Sequence, residues 1–494
     1  MVQFFARKLK FLKQYFNIMA NMERKLEMYG GSLTASVPLI IAVIGFVIFS
    51  VYERGAITAF WVACFVGILV GILFAKNKRK YAESIFEGIS RGEGAAIYVV
   101  WIFAGVLGQI WRAGGMIDGM VWLGSASGAT GLWFVLITFV ISCLLATGLG
   151  TSVGTVVALA PVLYPAGIVL GADPLALALA LIAGGAFGDN LGPISDTTIV
   201  SSVSQDAEIG DVVKSRFPLA IVAATIAAII LLIMASMGAG VAAQSGGVYE
   251  IKGNPLGIIQ LISLAALLIF AMSGRHLIES VSYSIIIASI IGIGIGAITL
   301  TDIVHIPDVR GGETGLIQKG IASTTAPIIF VMLILGITQV MINAGVMDRF
   351  INWAKKTVAK SVRQAEASVA LFTILITIPL AANAPGIIIM ADYAKRIAQE
   401  FKLHAARAAN LLDCAANTAF YMLPWHNAVI AWYTAVAAAA AEYNMPYPPL
   451  LPTCLMNPYA WALLGVLFFS IVTGWNRSYR DDKITYLTGW TRIG

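Results

Sequence analysis

The sequence predicts an all-α polytopic membrane protein, on the basis of its composition, its long apolar runs and the placement of its basic residues. Of 494 residues, 59% are hydrophobic and only 12% are charged, and the mean hydropathy is +0.85. Soluble domains carry about 25% charged residues, so a soluble chain of this length would lack the polar surface to cover its core. We expect about 10–14 transmembrane segments in two inverted repeats, with re-entrant hairpins and discontinuous helices.

Apolar runs recur along the whole chain, and a bilayer-spanning helix needs about 20 such residues. The clear candidates lie near 35–52, 57–75, 95–112, 130–147, 217–239, 255–273, 279–300, 323–343, 367–382 and 458–475. Shorter or interrupted stretches lie at 153–170, 175–188, 384–394, 408–420 and 427–440. Gly, Pro and Asn break several of these, which indicates hairpins or broken helices rather than simple spans.

Lysine and arginine residues predict the orientation of these segments. The basic segments, which the positive-inside rule places in the cytoplasm, are 1–30, 76–92, 345–366, 395–407 and 476–492. We therefore expect a multi-pass protein of the cell (inner) membrane with both termini cytoplasmic. The net charge of +6 comes from these dispersed segments, so we expect no nucleic-acid partner.

The chain divides into four stretches on this pattern. They are an amphipathic cytoplasmic segment at 1–30, a first transmembrane repeat at 31–240, a second, inverted repeat at 241–457, and a last membrane helix with a cytoplasmic tail at 458–494. At an offset of 231 positions, Leu191–Asp196 falls over Met422–Asn427. Corresponding loops differ in their basic residues, which favours repeats of opposite orientation over chance similarity.

The segment Gly184–Thr198 is the strongest chemical feature, because two carboxylates and several hydroxyls interrupt an apolar region there. A charge at the bilayer centre costs at least about 2.5–3.5 kcal/mol on insertion scales, which indicates a functional site. Gly192 and Pro193 break the helix, and broken backbone at that depth survives where it lines a cavity. A capped helix after a cytoplasmic loop is the alternative. The candidate ion-binding residues are Asp189, Asn190, Ser195, Asp196, Thr197 and Thr198.

A matching element, Leu412–Asn427, lies in the second half. Asp413 is one turn before Asn417 in an apolar helix, so both side chains share a face. His426 fits a proton relay or a structural residue equally well, since imidazole titrates near neutral pH. The candidate proton-coupling or substrate residues are Asp413, Asn417, Trp425, His426 and Asn427.

Two stretches rich in small residues predict hairpin tips. Thr151 and Ser152 lie in the first, and Asn383 and Pro385 lie in the second. Small residues let helix N-termini approach an ion, although ordinary helix packing is an equal alternative for the glycines alone.

Other classes of function find little support in the sequence. There is no Walker motif, which argues against ATP-driven transport. Asp189 and Asp196 could in principle form the dyad of an intramembrane enzyme, but seven residues across a proline break is poor geometry for sharing a proton. We expect no enzymatic activity.

The stretch Gly184–Ser202, GGAFGDNLGPISDTTIVSS, resembles the signature of the NhaC family of Na⁺/H⁺ antiporters. That signature has F-G-D followed by S-P-x-S-D-T-T, and Gly192 stands here in place of the commoner Ser. The resemblance implies an inverted-repeat carrier in which Ser195, Asp196 and Thr197 bind Na⁺ as ligands, with an important carboxylate at Asp189.

The function expected from the residues and the resemblance together is secondary Na⁺/H⁺ antiport by alternating access. A Na⁺- or H⁺-coupled carrier of an amino acid or small carboxylate is the alternative, because some family members resemble such carriers. We expect Na⁺ as the coupling or transported ion and no cofactor. The expected partners are Na⁺, H⁺, the lipid bilayer, a small organic solute under the alternative, and a second copy by analogy with dimeric elevator carriers.

Overall fold

The computed structural model describes residues 26–51, 57–90, 92–128, 131–244, 253–273, 275–306, 314–346, 360–380 and 382–486. Within these ranges the chain is nearly all helical, and its only extended pairings are two isolated bridges, Met28 with Ala75 and Leu403 with Tyr479. The prediction of an all-α protein is thus confirmed. Most of the amphipathic segment predicted at 1–30 lies outside the described residues.

The α-helices of these ranges are numbered in chain order. They are α1 (Val37–Val51), α2 (Ile57–Phe74), α3 (Lys78–Ser90), α4 (Gly92–Ala113), α5 (Met116–Ser127), α6 (Gly131–Leu149), α7 (Ser152–Val169), α8 (Pro174–Leu191), α9 (Asp196–Ser204), α10 (Ile209–Gln244), α11 (Leu261–Met272), α12 (Leu277–Gly294), α13 (Leu300–Ile303), α14 (Leu316–Asn343), α15 (Val362–Thr377), α16 (Asn383–Glu400), α17 (Ala405–Ala419), α18 (Asn427–Glu442), α19 (Leu450–Leu455) and α20 (Pro458–Thr473).

Many of these helices are long and apolar enough to cross a membrane. Among the described residues eight stretches qualify by length and composition, or up to nine if the bent pair Ile97–Ala113 and Met116–Ser127 is one span. Two shorter apolar helices, Thr58–Phe74 and Ile278–Gly294, add to this set. The chain is therefore a multi-pass membrane protein, as its composition indicates.

Four helices of the first half begin at a constant offset from four of the second. The pairs of first residues are Gly131 and Val362, Ser152 and Asn383, Pro174 and Ala405, and Asp196 and Asn427, each separated by 231 positions. This agreement in boundaries supports a structural repeat, and the opposite orientation of its copies stays a prediction. We call α6–α7 hairpin 1 and α15–α16 hairpin 2.

The tip of hairpin 1 lies against the break between α8 and α9. Gly150 at this tip has a φ of +66°, in the left-handed region that glycine adopts at no steric cost. A Cβ there would lie 2.8 Å from the carbonyl of Ile194 in the break, so a larger residue does not fit. Because the break interrupts the apolar stretch Pro174–Ser204, the tip lies beside an interruption within that stretch, and the re-entrant character of hairpin 1 stays a prediction.

The breaks themselves follow from backbone chemistry. Helix α8 ends with the Gly192 N–H donating to the Gly188 carbonyl at 2.7 Å, and Pro193 then supplies no N–H to continue the helix. In the second half, Pro424 lies in the corresponding gap between α17 and α18. Both predicted discontinuous helices are present.

Candidate functional site

The carboxylate of Asp189 lies in the last turn of α8 and is buried. Its Oδ1 accepts a hydrogen bond from Ser195 Oγ at 2.7 Å, and its Oδ2 accepts from Tyr421 OH at 2.5 Å and from Asn383 Nδ2 at 3.3 Å. All three donors are neutral, and among the described residues none of the ion pairs involves Asp189. Hydrogen bonds therefore solvate its charge without neutralising it.

Oxygen atoms from the break between α8 and α9 lie beside the Asp189 carboxylate. Ser195 Oγ lies 3.0 Å from Thr197 Oγ1, which in turn lies 3.4 Å from the backbone oxygen of Asp189. Both hydroxyls are buried, whereas Asp196, between them in sequence, is exposed in the first turn of α9. Carboxylate, hydroxyl and carbonyl oxygens are the ligands that hard cations prefer. In the described ranges no three His, Cys, Asp or Glu side chains gather as a metal site.

The first residues of α7 and α16, which lie 231 positions apart, both reach the surroundings of this carboxylate. Asn383 of hairpin 2 donates to Asp189 directly. Ser152 of hairpin 1 lies 2.8 Å from the hydroxyl of Tyr421. A phenol has one proton, which Tyr421 donates to Asp189, so the Ser152 hydroxyl donates to Tyr421. Both hairpins thus contribute to the hydrogen bonds of the Asp189 carboxylate, hairpin 2 directly through Asn383 and hairpin 1 through Ser152 and Tyr421.

The second buried carboxylate, Asp413 in α17, has a different environment. Its Oδ2 forms an ion pair with the guanidinium of Arg216 at 2.9 Å, and both side chains are fully buried. Its Oδ1 accepts hydrogen bonds from Asn190 Nδ2 at 2.9 Å and Asn417 Nδ2 at 2.7 Å, and Ser201 Oγ lies 3.3 Å from Oδ2. A fixed cation therefore neutralises Asp413.

Two amide side chains connect the two carboxylates. Asn383 Nδ2, which donates to Asp189, also donates to Asn417 Oδ1 at 2.8 Å, and Asn417 donates to Asp413. Since an ionised carboxylate only accepts hydrogen bonds, the two ends of this chain fix the orientation of both amides. A change of charge at Asp189 is thereby coupled to the hydrogen bonds of Asp413.

Arg216 extends the network on the far side of Asp413. Its Nε donates to Asn410 Oδ1 at 2.8 Å, and its NH1 donates to Thr198 Oγ1 at 2.8 Å and to the backbone oxygen of Asn190. Thr198 is thus engaged with the guanidinium and not with Asp189.

Sequence reasoning missed Arg216, and it did not predict that Tyr421, within the second-half element Leu412–Asn427, contacts Asp189. The predicted span began at 217, which left Arg216 one residue outside, although it lies well within helix α10. Its position directly before an apolar run was the available signal. Tyr421 lies in the gap between α17 and α18, but nothing local to it indicates that its hydroxyl reaches Asp189.

The aromatic residues of the second break contact backbone rather than carboxylates. Trp425 Nε1 donates to the carbonyl of Ile378 at 2.7 Å, and His426 Nε2 lies 3.3 Å from the same oxygen. His426 Nδ1 lies 2.8 Å from the carbonyl of Phe420. These contacts fasten the end of α15 to the break and favour a structural role for His426. The Oδ1 of Asn427, in the first turn of α18, is buried and has no partner among the described residues.

The structure thus brings most of the predicted residues together, in two groups. Around Asp189 lie Ser195, Thr197, Ser152 and Asn383, and around Asp413 lie Asn190, Thr198 and Asn417. The contacts described above place the remaining predicted residues in neither group. These residues are Thr151, Asp196, Pro385, Trp425, His426 and Asn427.

Comparison with known proteins identifies the family of this chain. Residues 25–236 and 253–467 match the family described as the Na⁺/H⁺ antiporter family. The chain belongs to this family. It is therefore a secondary transporter, and the resemblance seen in Gly184–Ser202 is confirmed.

Three relatives of this Na⁺/H⁺ antiporter family member show the range of similarity. The malate-2H⁺/Na⁺-lactate antiporter of Bacillus subtilis is 30% identical over 182 residues, which cover 37% of this chain and 38% of that protein. The arginine/ornithine antiporter ArcD of Halobacterium salinarum is 24% identical over 447 residues, 84% of this chain and 88% of that protein. The Na⁺/H⁺ antiporter NhaC of Alkalihalophilus pseudofirmus is 27% identical over 135 residues, 27% and 29% of the two chains.

Proposed function

We propose that this transporter exchanges Na⁺ for H⁺ and that the Asp189 carboxylate carries the two ions in turn. The observation that carries the proposal is the contrast between the two buried carboxylates. Asp413 has the guanidinium of Arg216 as a counter-charge, whereas the partners of Asp189 are all neutral. A buried charge without a counter-charge is costly, and a bound proton or a bound Na⁺ each removes that cost.

Competition for one carboxylate is sufficient for exchange. If Na⁺ and H⁺ cannot occupy Asp189 together, each ion crosses only when the other has left, which couples their opposite movements. The hydroxyls of Ser195 and Thr197 supply further ligands for Na⁺, because their oxygens already lie within 3.0 Å of one another beside the carboxylate. We propose that Asp196, which is exposed in the first turn of α9, is a further ligand that contacts the cation as it approaches Asp189.

The remaining parts of the proposal concern the whole chain. Two inverted repeats at 31–240 and 241–457 would supply one hairpin each and let the site face either side in turn. Both termini would lie in the cytoplasm, and the protein would act in the cell membrane as a homodimer, without a cofactor and without enzymatic activity.

An organic solute coupled to Na⁺ or H⁺ is the second candidate, since two relatives are named for exchange of carboxylates or amino acids. A cavity of about 50 Å³ opens between α4, α7, α14 and α18, with Arg112 and Glu442 in its lining. Pockets for small organic ligands usually measure about 300–1,000 Å³, so this cavity fits ions and water better than such a solute.

The deciding experiment uses purified protein in liposomes that contain a trapped pH dye. An imposed Na⁺ gradient should drive proton movement by the wild type without any organic solute, and Asp189→Asn should abolish it. Asp206→Asn is the matched control, because that carboxylate is exposed and pairs with Lys395 at the surface. Proton movement that needs an added amino acid or dicarboxylate would replace the first proposal with the second.

A further inference from the structure

A second, smaller cavity lies between hairpin 2 and the helices that flank it. It measures about 10 Å³, which is room for about one water molecule or one small cation. Its lining comes from α3, α4, α14 and the tip of hairpin 2, and includes Gly88, Gly94, Thr338, Gln339, Ala382 and Pro385. We call it the α14 cavity.

Two buried oxygen atoms in its lining have no partner. Thr338 and Gln339 are 4% and 1% exposed, and Thr338 Oγ1 and Gln339 Oε1 accept no hydrogen bond within the part of the chain that the structure describes. Buried polar atoms normally have a hydrogen-bond partner. Two unpartnered oxygens at one cavity therefore indicate that a bound water molecule or ion supplies the missing contacts.

Hydrogen bonds among the neighbouring side chains determine which atom of Gln339 is left for a bound water molecule or ion. Asn343 Nδ2 donates to Glu87 Oε2 at 2.8 Å, and an ionised carboxylate cannot donate in return. The amide of Asn343 therefore presents its oxygen to Gln339, whose Nε2 donates to it at 2.8 Å. Gln339 is left with its oxygen unused at the cavity. Glu87, at the partly exposed face of α3, thus orients Gln339 so that its oxygen is an unused acceptor, and the Thr338 hydroxyl beside it can also accept.

The cavity is close in sequence and space to the proposed ion site. Ala382 and Pro385 in its lining flank Asn383, the residue that donates to Asp189. The tip of hairpin 2 therefore contributes both to the lining of the cavity and to the hydrogen bonds of Asp189.

We propose that the α14 cavity is a station for the transported monovalent cation, on a route that runs from Glu87 to Asp189. Glu87 attracts the cation, the oxygens of Gln339 and Thr338 replace part of its water shell, and movement of the hairpin tip passes it to Asp189. The inference rests on the proposed exchange at Asp189.

Thiol accessibility tests whether a cation occupies the cavity. Leu335→Cys places a thiol in the lining of the cavity and keeps the oxygens of Thr338 and Gln339. It should react with Ag⁺, a thiol-reactive monovalent cation of about the size of Na⁺, and Na⁺ should slow the reaction several-fold compared with an equal concentration of choline. Ile334→Cys is the control and should not react, because Ile334 is the neighbouring residue but is fully buried in the apolar core. The four native cysteines are all buried, so the wild type serves as the blank.

The same labelling in an Asp189→Asn background separates the two proposals. Protection by Na⁺ that persists there shows binding in the cavity itself, whereas protection that disappears assigns it to Asp189 and overturns the station. A Leu335→Cys variant that never reacts with Ag⁺ also overturns it. Normal exchange by Asp189→Asn would instead overturn the proposed function and the route to Asp189, while Na⁺ protection measured in that variant would still show whether the cavity binds the cation.

Transport kinetics give an independent test. Glu87→Gln should raise the apparent KM for Na⁺ several-fold when the ion is supplied on the α3 side, with little change in the maximal rate. Glu83→Gln is the matched control on the same helix, because its carboxylate is exposed and pairs with Arg79. Equal KM values for the two variants would contradict a route through Glu87.

Discussion

At the scale of single residues, the two buried aspartates Asp189 and Asp413 differ in the charge of the groups that surround them. Asp413 faces a guanidinium and three neutral donors, whereas Asp189 faces neutral donors alone. The difference comes from Arg216, which reaches Asp413 from another helix. It gives Asp413 a buried counter-charge and leaves Asp189 without one, which is the contrast on which the proposed exchange rests.

The pairing of Arg216 with Asp413 predicts a large effect on stability. Arg216→Met leaves a buried carboxylate without its counter-charge, and loss of one partner of a buried ion pair typically costs about 3–5 kcal/mol. We expect a clearly lower melting temperature in detergent for this variant, and a partial recovery in the double variant with Asp413→Asn. Arg275→Met is the control, since its ion pair with Glu279 is largely exposed. Melting of Arg216→Met at the wild-type temperature would show that the ion pair contributes nothing.

The backbone contacts of His426 predict that it does not take part in proton transfer. Its two ring nitrogens lie against the carbonyls of Phe420 and Ile378, and the ring stacks at 5.0 Å from that of Phe420. His426→Asn should therefore slow exchange without moving the midpoint of its pH profile, because only the fastening of hairpin 2 is weakened. A proton relay at His426 would instead shift or flatten the profile, as measured in the liposome assay between pH 6 and about 9.

At the scale of helices, close packing of α8 against hairpin 1 positions the Asp189 carboxylate. A Cβ at Gly188 would lie 2.3 Å from both the Cβ of Ala146 and the backbone nitrogen of Thr147, and one at Gly184 would lie 2.6 Å from the Phe139 carbonyl. Both glycines therefore allow a contact between helix backbones, which small residues favour in membranes. Asp189 follows Gly188 directly, so any shift of α8 moves the carboxylate.

This packing predicts that one methyl group at Gly188 is enough to impair transport. Gly188→Ala forces α8 away from α6, so exchange should fall at least tenfold, and the melting temperature should drop. Gly465→Ala in α20 is the matched control, because a Cβ there meets open space and alanine favours a helix by about 1 kcal/mol over glycine. Retained activity in Gly188→Ala would mean that the position of Asp189 tolerates displacement.

At the scale of the whole molecule, the sequence predicts what depends on local pattern. Apolar length predicts the helices, and the run from Gly188 to Pro193 predicts the break and the chemistry beside it. The partners of that chemistry depend on long-range contacts, as shown by Tyr421, which lies 232 positions from Asp189. No periodicity in the sequence predicts which tyrosine or arginine contacts a buried carboxylate, and so neither the contact of Tyr421 with Asp189 nor that of Arg216 with Asp413 was predicted.

The two faces of the larger cavity belong to different parts of the fold. Helices α4 and α14 form one face, while α7 of hairpin 1 and α18 after the second break form the other. Arg112 at the end of α4 and Glu442 at the end of α18 form an ion pair across it. If the hairpins and broken helices move together past α4 and α14, this pair must separate in every cycle.

Cross-linking tests that movement directly. In the double variant Arg112→Cys/Glu442→Cys, a short bifunctional methanethiosulfonate reagent that spans the distance of the two long side chains should stop exchange, and reduction should restore it, because the covalent link holds α18 near α4. Treatment of either single variant with the same reagent is the control for loss of the ion pair, and the buried native cysteines should not cross-link. Full exchange by a quantitatively cross-linked protein would show that α4 and α18 keep their relative position during transport, and that alternating access arises within the hairpin units alone.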